Sequence, residues 1–205
     1  MKKCIILTLT VLCSLAANAQ VWVGGTLGYE NSKDEGNKNT TTTIAPTIGY
    51  ELSEKWSVGL EFSMLSTDSE TESPLSNGHV MHKNSKPKSF TVMPFVRYTY
   101  AQVGKVSFYI DGGVGYGQEK VSSTYSVEGP YASDYYAPYN GERKDTNFQI
   151  SFRPGVKYAI SDHLELESHL GNIGYSHTKS NYYSSNQWGC NLYSTMANLG
   201  MIWKF

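Results

Sequence analysis

The sequence predicts an all-β protein, a closed up-and-down antiparallel β-barrel of about eight strands. Three observations predict this class: apolar and polar residues alternate with a period of two in many segments, short turns and long polar connections succeed each other, and aromatic residues recur ten positions apart. The 16 tyrosines and 19 glycines among 205 residues agree with it. A net charge of -1 with 17% charged residues gives no indication of nucleic-acid binding.

The first 19 residues have the organisation of a signal peptide. Lys2 and Lys3 precede an apolar run over residues 5–15, and Ala17-Asn18-Ala19 forms a small-x-small cleavage site. The apolar run is too short for a membrane-spanning helix, and no later stretch approaches the roughly 20 residues that such a helix needs. We therefore predict a cleaved leader over residues 1–19 and a β-barrel domain over residues 20–205.

The cysteines give no support for a disulfide-stabilised fold. Cys4 and Cys13 lie in the predicted leader, and Leu12 is not the small residue that a lipidation signal requires before its cysteine. Cys190 is the one cysteine of the predicted mature chain, so an internal disulfide is not expected. The sequence does not indicate a role for it.

Eight alternating segments define the predicted strands, and in the fourth of them Phe90 and Val96 share one face while Phe95 and Arg97 share the other. In chain order the segments cover residues 21–30, 42–52, 55–66, 89–101, 105–117, 146–160, 163–177 and 191–205.

The connections between these segments alternate in length. Short turns at Ser53-Glu54, Val103-Gly104 and Ser161-Asp162 follow the second, fourth and sixth segments. The other connections are long and polar, over residues 31–41, 67–88, 118–145 and 178–190. This arrangement is typical of a transmembrane barrel with periplasmic turns, and an even number of strands places both termini on the periplasmic side.

Two features predict local irregularities in the sheet. Three predicted strands carry the repeat P-x-[IV]-x-Y, starting at Pro46, Pro94 and Pro154. Because proline has no N–H for the ladder and a closed barrel has no edge, each is expected to mark a bulge or a weakened pairing. In the seventh segment the apolar parity changes between Leu170 and Ile173, which predicts a bulge near Gly171.

Aromatic spacing indicates which face meets lipid. Three aromatic pairs are each ten residues apart on the apolar faces: Phe90 with Tyr100, Phe148 with Tyr158, and Tyr193 with Trp203. At about 3.3 Å per residue and a tilt near 40°, ten residues rise about 25 Å, the height of the apolar band of an outer-membrane barrel. The rings would then lie at both membrane interfaces, so we predict that the apolar faces point outward into lipid.

The opposite faces carry acidic and basic residues between glycines and small hydroxyls. These predicted lumen residues are Glu51, Glu61, Arg97, Asp111, Arg153, Lys157, Glu165 and Glu167. A barrel of about eight strands has an interior just wide enough to be filled by side chains, so the charges are expected to pair across the lumen and plug it. A proton or ion route through the same charges is the alternative, and a wide aqueous channel is not expected.

The final eight residues carry a further signal. Asn198, Gly200, Trp203 and Phe205 fit a polar-x-Gly-x-x-aromatic-x-aromatic pattern. This pattern resembles the insertion signal of bacterial outer-membrane proteins. Together with the leader and the alternation of short turns with long connections, it makes the mature chain similar to the small barrels of the OmpA transmembrane-domain and OmpX type, including those labelled porin-like. The resemblance implies the outer membrane of a Gram-negative bacterium, with outer-membrane lipid, lipopolysaccharide and the barrel-assembly machinery as partners.

The first functional hypothesis is a structural and surface-interaction barrel whose loops contact an unknown extracellular ligand or glycan. Tyrosines beside Ser, Asn and Gly suit such contacts, because they supply rigid amphipathic area. The candidate contact residues are Tyr131, Tyr135, Tyr136, Tyr139, Tyr182 and Tyr183. The alternative for these rings is packing onto the rim or extension of the aromatic girdle.

Two other functional classes remain open. One is transport, through a narrow pore or a lateral conduit for small apolar molecules of the OmpW sort. The other is a lipid-modifying enzyme, but Ser168 and His169 are adjacent on a strand and face opposite sides, and His177 has no evident carboxylate. We predict no catalytic residue and no cofactor. His79 and His82 are spaced H-x-x-H without a third ligand, so no metal site is predicted.

Overall fold

The structure is a computed structural model that describes residues 21–75, 78–129, 139–181, 183–191 and 197–205. The predicted leader lies outside these residues. The strands are β1 (Val21–Asp34), β2 (Asn37–Glu51), β3 (Trp56–Pro74), β4 (Val80–Val103), β5 (Val106–Glu128), β6 (Tyr139–Ala159), β7 (Leu164–His169), β8 (Asn172–Ser180), β9 (Ser184–Asn191) and β10 (Ala197–Lys204). Within the described residues, no helix is long and apolar enough to cross a membrane.

The ten strands form one closed antiparallel ring with eight positions in its wall. Strands β1 to β6 pair in sequence order. The seventh position is shared by β7 and β8, which both pair with β6, and the eighth is shared by β9 and β10. Pairing of β10 with β1 closes the ring. The predicted all-β, eight-stranded up-and-down barrel is therefore confirmed.

The outer face of the ring is apolar, as the alternation predicts. On β4, Phe90 and Tyr100 point outward and are 45% and 55% exposed, whereas the intervening Phe95 is 4% exposed inside the ring. On β6, Phe148 is exposed and Ser151 is buried. An apolar outer face of this kind is expected of a barrel whose wall lies in hydrocarbon rather than in water.

The interior holds a small apolar cluster formed by Trp22, Phe95 and Ile202. The rings of Trp22 and Phe95 lie 6.4 Å apart. Glycine makes room for the larger ring, because a Cβ atom at Gly49 would overlap the Trp22 side chain. Close packing of this kind leaves few voids inside a barrel of this size.

The four predicted long loops are for the most part strand, so that part of the prediction is wrong. β1 and β2 remain paired as far as Asp34 and Asn37, and β3 and β4 remain paired as far as Pro74 and Val80. The ladder continues beyond the apolar face because antiparallel pairing satisfies the backbone hydrogen bonds of these segments as well. The barrel therefore carries extended polar hairpins at one end. Residues 130–138 of the third hairpin lie outside the described residues.

The three short turns lie at the opposite end and follow the predicted positions. They span residues 52–55, 104–105 and 160–163, and Gly104 has a positive φ of 58°. Both ends of the described chain lie at this end, where the Phe205 N–H donates a hydrogen bond to the Val21 carbonyl at 3.1 Å.

Backbone pairing is interrupted beside all three prolines of the repeat, as predicted. Around Pro46 the β2–β3 register has no pairs between Ile44 and Thr47, and at Pro94 the β4–β5 register has none between Val92 and Phe95. The third proline, Pro154, lies opposite the break between β7 and β8.

The predicted bulge near Gly171 is confirmed by a change of register at the same break. Gly155 pairs with His169 on β7, whereas Phe152 pairs with Ile173 on β8, so one extra residue is accommodated between them.

Candidate functional site

The most distinctive site lies inside the ring, where charged side chains meet. Each of the eight residues predicted to face the lumen takes part in an ion pair there. They are Glu51, Glu61, Arg97, Asp111, Arg153, Lys157, Glu165 and Glu167. Alternation along the strands brings them together, because every second residue of each strand points inward.

Arg97 is the centre of the largest cluster. Its Nε and Nη2 atoms donate hydrogen bonds to the two Asp111 carboxylate oxygens at 2.7 and 2.9 Å. Its Nη1 atom lies 2.9 Å from Glu167, which comes from the opposite side of the ring. These three side chains are between 1% and 4% exposed. The Tyr109 ring stacks under the guanidinium at 3.9 Å, and its hydroxyl donates to Glu167 at 3.3 Å.

A second arginine extends this cluster towards the hairpins. Arg153 on β6 reaches across the ring to Glu61 on β3, with Nη1 to carboxylate distances of 2.9 and 3.0 Å. It also lies 3.8 Å from Asp111, which contacts His169 at 3.1 Å as well as Arg97. The two arginines thus link five strands, β3 to β7, through one shared aspartate, and the Coulomb attraction is strong because the site is shielded from water.

A separate cluster lies closer to the short turns. Lys157 and Lys204 share Glu165, at 3.2 and 3.1 Å. Lys204 also contacts Glu51 at 2.7 Å. Lys204 therefore ties β10 to the neighbouring β7 and also to β2, on the far side of β1.

Three members of the network were missed by the sequence analysis. Lys204 shares the inward parity of Gly200 and Ile202 on the last strand, and Tyr109 shares the parity of Asp111. The parity signal for both was therefore present. His169 was considered only as a catalytic base, although its inward position on β7 follows from the same alternation.

A polar cavity of about 290 Å³ lies inside the ring on the hairpin side of Arg153. Glu61 and Arg153 form part of its wall, together with Glu119, Gln149 and Ser151. The Nε atom of Arg153 is buried there without a hydrogen-bond partner among the described residues. The cavity is large enough for several waters.

The four positions of the C-terminal pattern all lie on the strand that closes the ring or directly after it. Asn198 pairs with Gly28, and Gly200 pairs with Thr26. Trp203 points outward and stacks on His163 at 5.9 Å, while Phe205 is 67% exposed.

Two of the six candidate loop tyrosines lie within the described residues. Tyr139 is 64% exposed at the start of β6, and its ring lies 6.2 Å from that of Tyr125. The Tyr183 hydroxyl donates a hydrogen bond to Asp145 at 3.3 Å, beside Arg143. Tyr131, Tyr135, Tyr136 and Tyr182 lie outside the described residues, as does Tyr193 of the third aromatic pair.

The candidate catalytic and metal-binding histidines have other neighbours. His169 faces Asp111 inside the ring, and the next residue, Ser168, faces the other side. His177 contacts the Asn186 side chain at 2.6 Å rather than a carboxylate. His82 lies between Glu72 and Glu128, at 3.5 and 3.3 Å. In the part of the chain that the structure describes, no group of three or more His, Cys, Asp or Glu residues could hold a metal ion.

An eight-position antiparallel ring with an apolar outer face and an ion-paired interior defines an integral outer-membrane β-barrel protein. The family model for the outer membrane protein beta-barrel domain matches residues 4–205, and the chain belongs to this family. Membership gives its location, the outer membrane of a Gram-negative bacterium.

Several solved structures are similar to the chain at low identity. Ail, the attachment invasion locus protein of Yersinia pestis, is 13% identical, with 91% of this chain and 97% of that chain covered and a TM-score of 0.38. Neisserial surface protein A is 14% identical, with the same coverage and a TM-score of 0.40. A major outer membrane protein from Thermus thermophilus is 14% identical, with 92% and 100% covered and a TM-score of 0.45. No curated protein matches the chain.

Proposed function

We propose that this protein is a structural and surface-interaction barrel whose lumen is plugged by charged side chains. Its short turns and both termini face the periplasm, and its polar hairpins project outside the cell. One observation carries the proposal: Arg97 binds Asp111 and Glu167 across the ring, with all three side chains almost completely buried.

The buried network supports a lumen that does not conduct. An ion crossing the ring would have to part Arg97 from its two carboxylates, and separated charges in a water-poor interior cost several kcal/mol. The apolar cluster of Trp22, Phe95 and Ile202 fills a further part of the same interior.

The hairpins support a role in surface contacts. Ion pairs link neighbouring hairpin strands between Lys38 and Glu70 and between Lys86 and Asp68. The backbone ladders between these strands hold an extended polar surface in a defined shape. Exposed aromatic residues of the hairpins, including Tyr139 at 64% exposure, add amphipathic area of the kind found in binding surfaces.

Single-channel recording in planar lipid bilayers tests the plug. We expect no stable open-state conductance from the wild-type protein. Replacing Arg97, Asp111 and Glu167 together by alanine should produce small, stable openings, because it removes the cross-ring pairs and leaves Arg153 paired with Glu61. The control variant replaces the exposed pair Lys86 and Asp68 by alanine, and it should show no conductance.

Stable conductance of the wild-type protein would contradict the plug and would favour a narrow porin. That second candidate is supported by the cavity beside Arg153, which supplies part of a polar path on the hairpin side. We propose no enzymatic activity, because the contacts of His169 and His177 leave no paired nucleophile and base among the described residues.

A further inference from the structure

A row of three lysines crosses the outside of the wall, immediately beyond its apolar face. Lys88 on β4 is directly opposite Lys120 on β5, and Lys120 is directly opposite Lys144 on β6. All three residues are exposed, and they have the outward parity of Phe90 and Tyr116 on the same strands. The side chains therefore project from one surface, on the hairpin side of the outer aromatic residues.

This row is electrostatically unfavourable in the protein alone. Directly opposite residues have Cβ atoms about 5 Å apart, and like charges at that spacing destabilise the sheet. Glu142 lies 2.9 Å from Lys120, but no described acidic side chain forms an ion pair with Lys88 or Lys144. An external anion would remove the repulsion.

The row ends at β4 and does not continue onto the strands before it. The positions that continue it onto β3 and β2 are Ser66 and Thr42, which are uncharged. On β8 the nearest lysine is Lys179, which is exposed and lies opposite Thr146, two positions from the row. A ring of lysines would indicate general attraction to a negative surface, whereas a row that ends at β4 indicates a local binding site.

An apolar groove of about 610 Å³ lies directly beside the row, on the lipid-facing surface between β4 and β5. Its apolar walls are formed by Phe90, Val92, Pro94, Val114 and Tyr116. The interruption of backbone pairing at Pro94 lies within it. Phe90 and Gln118 form the row of residues between the groove and the lysines, so the two features are contiguous.

We propose that Lys88, Lys120 and Lys144 bind the phosphate groups of a phosphorylated lipid of the outer leaflet, with an acyl chain of that lipid in the groove. Ammonium groups suit phosphate oxygens, and the apolar groove suits a hydrocarbon chain. The charge of the lysine row and the shape of the groove together favour a phosphate attached to a hydrocarbon chain over a free phosphate ion. The inference rests on the outer-membrane location of the barrel and on the proposed orientation with its hairpins outside the cell, and it is independent of whether the lumen conducts.

Native mass spectrometry of the folded mature protein in detergent tests the site, with lipid A carrying two phosphates as the probe. The triple variant K88Q/K120Q/K144Q should bind it about a hundredfold more weakly, since one lysine near an anionic surface contributes about fivefold. The control variant K33Q/K55Q/K105Q loses the same charge from exposed positions away from the groove and should bind as the wild type does. Heat-dependent gel mobility verifies that each variant is folded.

Two further arms identify the source of the phosphate. Lipid A stripped of its phosphates should bind the wild type as weakly as the intact lipid binds the triple variant. Filling the groove with V114W should lower the affinity for lipid A at least tenfold and leave inorganic phosphate binding unchanged. The proposal is overturned if the triple variant retains wild-type affinity, if the dephosphorylated lipid binds equally well, or if inorganic phosphate displaces lipid A at equal concentration.

Discussion

Arg97 is the residue on which the interior charge balance depends most. It faces two carboxylates, those of Asp111 and Glu167, and both are as deeply buried as the guanidinium. Arg153 contacts Asp111 only at 3.8 Å and is engaged with Glu61, so it does not replace Arg97.

Replacing Arg97 by methionine should lower the free energy of unfolding by about 3–5 kcal/mol, because it leaves buried carboxylates without their counter-charge. The measurement is urea unfolding of the protein in lipid vesicles, followed by gel mobility. Lys86→Met, which breaks an exposed pair with Asp68, is the control and should change the value by less than about 1 kcal/mol. Equal effects of the two substitutions would contradict the structural importance of the network.

The free energy of unfolding should depend on pH through Glu119, which lies outside the membrane-spanning part of β5. Burial and then the Asp145 carboxylate raise the pKa of Glu119 above its usual value, and Arg143 partly opposes them. Because the folded state favours the protonated acid, ionisation at neutral pH destabilises the fold. This loss of stability should disappear as the pH falls through the raised pKa of Glu119 to below the ordinary glutamate pKa of about 4.3.

Glu119→Gln should therefore be more stable than the wild type near neutral pH and equal to it in acid. Unfolding midpoints across this pH range provide the test. Glu142→Gln, at an exposed position on the neighbouring strand, is the control and should not reproduce the gain. A wild-type advantage at neutral pH would show that Arg143, rather than burial and Asp145, dominates the environment of Glu119.

At the scale of single elements, the hairpins are separable from the barrel. In the β3–β4 hairpin, the residues beyond Asp68 and Lys86 are mostly polar and extend past the apolar wall. Removing residues 69–85 and joining the ends through Asn-Gly should leave a folded, heat-modifiable barrel, because this turn suits two paired antiparallel strands. Deleting Phe95 alone from β4 should prevent folding, since a shift by one residue turns the outward side chains on one side of the deletion towards the lumen. Loss of folding in the hairpin deletion would contradict this separation.

The strands within the apolar wall were predictable because only one of their faces is apolar. Beyond Phe90 the alternation loses its contrast: Ser85 bonds Ser123 inside at 3.1 Å, while Lys86 and Lys88 face outward. Both faces are polar there, so a pattern based on hydrophobicity predicts a loop where the backbone continues as strand.

The interior charges were predictable as a set but not as pairs. Parity alone places Arg153 inside the ring, opposite Asp111 in the backbone register. Its hydrogen bonds go instead to Glu61, on a strand at the other side. Which residues pair across the lumen depends on the tilt and the stagger of the strands. The spacing of residues along one strand does not determine either quantity.

At the scale of the whole molecule, the orientation of the barrel can be measured by cysteine labelling. In a Cys190→Ser background, Lys86→Cys on a hairpin should react with a membrane-impermeant maleimide in intact cells. Lys105→Cys on a short turn should react only after the outer membrane is permeabilised. Both positions are exposed, so access alone distinguishes them. The reverse pattern would contradict periplasmic turns.

The contact between Val21 and Phe205 joins the earliest and latest segments of the described chain. Because β1 pairs with β10, the barrel cannot close until β10 has been synthesised. Throughout export, the first strand presents unsatisfied amide groups along one edge, where other polypeptides can add. A chaperone that covers this edge during export should therefore raise the yield of folded barrels.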